Sequence, residues 1–224
     1  MKNIVSRFLQ QLSLKILIVT GLFIGSLFLF IMIANEAVLE KEDIFDKKIH
    51  HLVLQHSSSR LIETMHAVSF FGSTYFLLPA YLILVGYFLI KKNYRYAIDI
   101  AVISLSSFLL MQLLKQLFHR KRPSLPIIKG ITSYSFPSGH TLSSFIFCSI
   151  LGYIIWQGSL SKTWKLLLIA GLLILTLMIG ISRIMLNIHY ATDVIAGFCF
   201  GVMWVILSFW LIRLVFRRKD LVMI

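Results

Sequence analysis

Apolar residues in this chain fall in long uncharged runs, neither alternating with polar ones nor confined to one helical stripe. Six runs stand out, at 16–34, 67–90, 100–114, 141–160, 166–182 and 194–212. The third is short by itself and lengthens to a full span when 96–99 and 115–118 form its two ends. An α-helix rises about 1.5 Å per residue and a bilayer's hydrocarbon core is about 30 Å thick, so each run predicts a helix that crosses a membrane. Membrane strands are excluded because period-two alternation is missing and the runs are too long. The predicted fold is an all-α membrane protein, a six-transmembrane-helix bundle, with 1–224 as a single domain and no internal repeat or linker.

Composition agrees: 58% of residues are hydrophobic and 14% charged, a balance that a soluble core does not need. The first run follows Lys2, Arg7 and Lys15 like a secretion signal, but it is longer than a signal's apolar region and lacks a small-residue cleavage site. It is therefore expected to be retained as a span. Cys148 and Cys199 both lie inside apolar runs, which argues against a disulfide framework. The formal net charge of +13 raises the possibility of nucleic-acid binding, and the positions of the cations remove it. With six spans, Lys2, Arg7 and Lys15, then Lys91, Lys92 and Arg95, then Lys162 and Lys165, then Arg213, Arg217, Arg218 and Lys219 share one face. The positive-inside rule makes that face, with both termini, cytoplasmic in a multi-pass cell-membrane protein.

The other face has two longer segments. The first, 35–66, mixes Glu36, Glu40, Glu42, Asp43 and Asp46 with Lys41, Lys47 and Lys48, and places Phe45, Ile49, Leu52 and Val53 at helical spacing. It predicts an outer-surface helical segment between the first two spans, either lying on the membrane or forming a solvated hairpin packed on the spans. The second, 118–137, holds His119, Arg120, Lys121, Arg122 and Lys129 and no acid. Basic charge on the outer face runs against the topology rule, and anion binding is the simplest reason for it. In that reading Arg120, Lys121 and Lys129 give general attraction to anions such as lipid headgroups, and His50, His51, His56, His66 and His119 are solvated surface residues.

Three polar clusters fall at the outer ends of the spans. Lys115 and Arg122-Pro123 follow the third, Pro137-Ser138-Gly139-His140 opens the fourth, and Ser182-Arg183 closes the fifth, with His189 and Asp193 leading into the sixth. The six-span plan thus brings residues 115–193 to one surface, although up to about 80 residues separate them. Pro137, Ser138 and Gly139 stand at a helix start, where free N–H groups and the positive dipole end suit an anion. Gly139 permits close backbone approach, and Ser138 adds a hydroxyl. Lys115 and Arg122, seven apart, project to one side if the helix continues to Pro123. The Arg183 guanidinium matches phosphate oxygens. His189 and Asp193, four apart, share a face if both are helical. The carboxylate would then fix one ring nitrogen and leave the other to attack phosphorus, while His140 protonates the leaving oxygen.

These motifs resemble the three signatures of the type 2 phosphatidic acid phosphatase superfamily, the metal-independent membrane lipid phosphatases. The match runs Lys115-x6-Arg122-Pro123, Pro137-Ser138-Gly139-His140 and Ser182-Arg183-x5-His189-x3-Asp193, with every key position present, and rests on about 80 residues. The resemblance implies a phosphoric monoester hydrolase without a cofactor. Catalysis would fall to His189 (forming a phosphohistidine), Asp193 and His140, and substrate binding to Lys115, Arg122, Ser138, Gly139 and Arg183. Size and span number are similar to small bacterial members acting on phosphatidylglycerophosphate or on undecaprenyl diphosphate, so the implied partners are membrane lipids and a lipid phosphate substrate, phosphatidic acid included. Two rival readings remain. One is a metal hydrolase using His119, His140, His189 and Asp193, which the adjacent cations oppose. The other is a non-catalytic lipid transporter or binding protein, which lacks the broken-helix repeats and midplane acids of an ion path.

Overall fold

The computed structural model describes residues 2–39, 44–124, 126–128 and 130–216, without the side chains of 2–13, Leu54, Val215 and Phe216. Lys2 and Arg7 as side chains, and Glu40, Lys41, Glu42, Asp43, Lys129, Arg217, Arg218 and Lys219 altogether, lie outside the described residues. The apolar runs form helices: α1 (Lys2–Ile33), which continues as a π-helical segment (Ala34–Leu39), α4 (Thr74–Ile90), α5 (Tyr94–Phe118), α6 (Gly139–Gln157), α7 (Lys162–Met185) and α8 (Ala191–Phe216). Two shorter helices, α2 (Ile44–His56) and α3 (Ser59–Phe70), fill the segment before α4. No strand occurs among the described residues. Among the described residues, six stretches have the length and apolarity to cross a membrane: Leu14–Leu39, Ser59–Ile90, Tyr94–Phe118, Gly139–Gln157, Lys162–Met185 and Ala191–Leu214.

The second span begins earlier than the sequence predicts, because α3 and α4 form it together. Arg60, Glu63 and His66 break the apolar run, but all three are exposed, while Met65 and Ser69 of α3 turn inward toward α7. The serines at 58 and 73 cap the two helices, accepting from the N–H groups of Leu61 and Phe76 at 3.3 Å each. Between them, Gly72 lets the corner rest on α6 and α7: a Cβ there would lie 2.6 Å from Ile179 and 3.3 Å from His140 Cβ.

The segment between the first two spans is docked on the bundle with only half of its apolar stripe turned inward, Ile49 and Val53 being half-buried. α2 packs against α7 and α8 with Asp46 buried, while Ile44 is 77% exposed and Phe45 and Leu52 are also exposed. The buried residue is the polar one because hydrogen-bond donors await it at the start of α8. Inside the bundle, α1, its π-helical extension and α8 enclose Phe30, Ile33, Ala34, Ala196, Cys199 and Met203 around Phe136. A second cluster joins α4, α5 and α6 through Phe88, Ile100, Ile103, Met111, Leu142 and Ile146. Large apolar side chains such as Leu17, Phe28, Ile83 and Leu113 point outward, as spans immersed in lipid require.

Candidate active site

The C-terminal ends of α5 and α7 and the N-terminal ends of α6 and α8 meet at one end of the bundle. α5 stops at Phe118 because His119 adopts a left-handed conformation, φ 49°. Lys115 and Arg122 therefore do not share a helix, contrary to the prediction from their spacing. Arg122 is returned to the site by the following loop, which is stitched to the α7–α8 connection. Ser138 N–H donates across to Asp193 O at 3.0 Å and Ile127 N–H to Leu186 O at 3.1 Å, while Ser135 N–H donates to Arg120 O at 2.8 Å within the loop itself. The side-chain amide of Asn187 adds a bond to Ser124 O at 2.7 Å.

Three cations gather here without a carboxylate partner among the described residues. Lys115 is 5% exposed and donates to the Tyr134 carbonyl. Arg122 donates to Ser133 O at 2.8 Å, Ile188 O at 2.9 Å and the Ser133 hydroxyl at 3.0 Å. Burial holds its pKa below the usual guanidinium value, against the pull of Asp193. Arg183 is 3% exposed and donates from Nη1 to the Ser69 hydroxyl, while its buried Nε has no hydrogen-bond partner. An unpaired buried donor costs about 1–3 kcal/mol, which an incoming acceptor removes.

His189 and Asp193 also meet by a different route from the predicted one. α8 begins at Ala191, so His189 precedes the helix, and Asp193 occupies its third position. The carboxylate reaches back to accept the Tyr190 N–H at 2.9 Å, the acidic half of a capping box. The same oxygen, Oδ2, lies 3.3 Å from His189 Nδ1 and accepts the Ser135 hydroxyl. On the far side of the ring, Arg122 Nη1 is 3.1 Å from His189 Nε2. A guanidinium only donates, so Nε2 is the acceptor and Nδ1 carries the proton toward Asp193. Burial, with Arg122 and Lys115 adding to it and Asp193 opposing, pushes the His189 pKa down to about 3. The imidazole is neutral at neutral pH.

At the start of α6, Ser138 is the N-cap residue and makes no side-chain capping bond; its Oγ accepts from Thr141 Oγ1 at 3.0 Å. The first-turn N–H groups of α6 have no such cap over them. A Cβ on Gly139 would lie 2.7 Å from Met111 Sδ, so a larger residue here would have to displace the Met111 side chain of α5. His140 follows, within electrostatic reach of Arg183, His189, Arg122 and Lys115.

Sequence reasoning missed several groups. Arg120 is no general attractor of anions: its Nη1 donates to Asp193 Oδ1 at 2.6 Å and Thr192 Oγ1 at 2.8 Å, and its Nη2 to Asp46 Oδ2 at 2.8 Å. Burial lowers its pKa, but the two carboxylates outweigh that and raise it above the usual value. Asp46, Ser69 and Ser135 lie outside the spaced motifs, and no local pattern marks them. The metal-ligand set proposed as a rival does not assemble. His119 is exposed and edge-on to Tyr134 at 4.7 Å, and no three His, Cys, Asp or Glu side chains group as ligands among the described residues.

The comparisons agree with this architecture. Residues 96–217 match the model of the PAP2 superfamily, and the chain belongs to it. The protein is a multi-pass membrane lipid phosphatase, a phosphoric monoester hydrolase. It is 31% identical over 183 residues to phosphatidylglycerophosphatase B of Bacillus subtilis (strain 168), covering 80% of this chain and 89% of that one. It is 36% identical over 103 residues to the lipid A 1-phosphatase of Porphyromonas gingivalis, covering 46% of this chain and 21% of that one. Among solved structures, the transmembrane PAP2-type phosphatidylglycerolphosphate phosphatase of Bacillus subtilis aligns at TM-score 0.78 and 23% identity, over 89% of this chain and all (100%) of that one. Aquifex aeolicus LpxE aligns at TM-score 0.58 and 22% identity, over 73% and 93%. These two likenesses establish a shared fold.

Proposed function

We propose that the protein hydrolyses the phosphate monoester of a membrane lipid, of the phosphatidylglycerophosphate or phosphatidic acid type, through a phosphohistidine on His189. One observation carries this reading: Lys115, Arg122 and Arg183 gather without carboxylate partners among the described residues, and Arg122 stands 3.1 Å from Nε2 of the His189 imidazole. Such a group is short of one anion, and a phosphate supplies it.

In the proposed reaction, the phosphate oxygens take the donors of Lys115, Arg122, Arg183 and the first turn of α6 at Ser138 and Gly139. Arg122 leaves Nε2 for a phosphate oxygen. Nε2 then bonds to phosphorus as the bond to the lipid oxygen breaks, and His140, protonated once the bound phosphate offsets the cations around it, gives that oxygen its proton. Asp193 stabilises the positive charge that develops on the His189 ring. Water next attacks phosphorus, the P–N bond breaks, and the now neutral His140 takes the proton of the attacking water. No step uses a divalent ion, since the three cations already screen the transferring group, and turnover in excess chelator is the expected result.

The chain acts as one domain, with the active site at the outer face of the membrane and both termini inside. Lys91, Lys92, Arg95, Lys162, Lys165 and Arg213 at the other end support that orientation. Two substrate classes fit the same chemistry, a glycerophospholipid monophosphate and a polyprenyl diphosphate. The relationship to phosphatidylglycerophosphatase B favours the first. The test is phosphate release from phosphatidylglycerophosphate, phosphatidic acid and undecaprenyl diphosphate in detergent, with wild type and His189→Ala side by side. Loss of all turnover in the variant is expected; undiminished turnover overturns the reading.

A further inference from the structure

Asp193 is fully buried, and its two oxygens do separate things. Oδ2 serves His189, Ser135 and the Tyr190 N–H. Oδ1 is bonded to Arg120 Nη1 at 2.6 Å. Arg120 is itself clamped: its Nη2 reaches Asp46 at 2.8 Å, and its guanidinium lies 4.2 Å from the centroid of the Tyr190 ring. Asp46 is clamped in turn, accepting the Thr192 N–H at 2.9 Å and the Thr192 hydroxyl at 2.6 Å. A chain of polar contacts therefore runs from α2, through Asp46, Arg120 and Asp193, to His189, at 2.8, 2.6 and 3.3 Å in turn.

We propose that Arg120, held by Asp46, is the positioning residue that sets the Asp193 carboxylate against the His189 ring. The proposal rests on His189 being the nucleophile. A carboxylate held mainly at one oxygen can rotate about its Cβ–Cγ bond; a guanidinium on the other oxygen fixes its plane. The pairing also keeps two jobs apart. A fully buried Asp193 needs a counter-charge, and without Arg120 it draws Lys115 or Arg122 away from the phosphate. Without Asp46, in turn, Arg120 is free to leave Asp193 for the phosphate itself. α2 is thus tied to the catalytic apparatus through Asp46.

The test measures kcat and KM for short-chain phosphatidic acid in detergent micelles, for Arg120→Gln, Arg120→Lys and Asp46→Asn. Misaligning a reacting group costs about 100-fold, so Arg120→Gln is expected to lower kcat by about 10–100-fold with KM within about two-fold. Arg120→Lys recovers only part of the loss, since an ammonium cannot fork between two carboxylates. Asp46→Asn loses about 3–10-fold in kcat, a fraction of that misalignment cost. In an Asp193→Asn background, Arg120→Gln has little further effect if it acts through Asp193. A raised KM with unchanged kcat overturns the proposal, because it returns Arg120 to general anion attraction; so does the full Arg120→Gln factor in the Asp193→Asn background. Should Arg120→Gln not fold, Arg120→Lys and Asp46→Asn decide by the same kcat criterion, with thermal melting in detergent reporting the fold. Unaltered Arg120 and Asp46 variants beside an inactive His189→Ala remove this relay alone. An active His189→Ala removes the nucleophile itself.

Discussion

The two ends of the bundle hold their cations in opposite ways. At the site end, Lys115 and Arg183 are buried, and their donors go to a carbonyl, to a hydroxyl or to nothing. At the other end, Lys91, Lys92, Lys162 and Arg213 are exposed, Lys165 bonds Trp156 O at 2.8 Å, and Arg95 pairs with Asp99 at 2.9 Å. Exposed cations at a membrane surface are solvated and settle topology. Buried cations without acids cost folding free energy and persist where a ligand repays it. A cavity of about 270 Å³ opens between α5, α6 and α8 at the far end, lined by Ile100, Ile103, Ile150 and Phe209 with Arg95, Asp99 and Arg213 beside them. At the proposed catalytic end, Arg122 stands 3.1 Å from the nitrogen that a phosphate must reach.

The contrast can be broken by substitution, from the largest effect downward. His140→Ala is expected to lower kcat by about 10²–10⁴-fold, and by less on substrates with a good leaving group, because that step then needs no proton. An equal loss on both substrate types contradicts its role as acid. Arg183→Met or Lys115→Met is expected to cost about 10²–10³-fold in phosphate release, as for loss of one donor to a transferring group. Lys91→Gln or Lys92→Gln at the opposite end should change turnover by less than about two-fold, as solvated charges do. Comparable losses at both ends would erase the distinction.

A subtler difference is electrostatic. His189 is pushed down to about 3, so it holds its neutral form from pH 7 to pH 5 and takes a proton only below that. Histidine ¹⁵N NMR in micelles reads this directly. Arg122→Gln removes a like charge and is expected to raise the His189 pKa; Asp193→Asn removes an opposite charge and lowers it further. Titration near the ordinary 6.5 in wild type contradicts the buried, cation-ringed environment. The smallest effect belongs to the far end. Breaking the Arg95–Asp99 pair with Asp99→Asn is expected to cost at most about 1 kcal/mol by thermal or denaturant unfolding, as for other partly solvated pairs one helical turn apart.

The spans were legible because each needs a long uncharged run and little else. Where polar residues interrupt a helix on its exposed side, as Arg60, Glu63 and His66 do in α3, the run reads as a loop and the span starts too late. The candidate site was legible because its residues sit in fixed local spacings at span ends. Their route together was not. His119 ends α5 before Arg122, and Asp193 reaches His189 from the first turn of α8, so two predicted helical faces are in fact loop-built approaches. Asp46, Arg120 and Ser135 escaped notice for a different reason. Asp46 lies 146 residues from Thr192, the backbone it caps, and an acid in a mixed-charge segment has no pattern that marks it as buried.

The proposed catalysis turns on a covalent bond between His189 and phosphorus. Wild-type protein mixed briefly with ³²P-labelled phosphatidic acid and quenched in alkali, where phosphoramidates survive, should retain label that acid releases and that maps to the peptide containing His189. His189→Ala should retain none. Label absent from a wild type that is turning over substrate, or label retained by the variant, contradicts it.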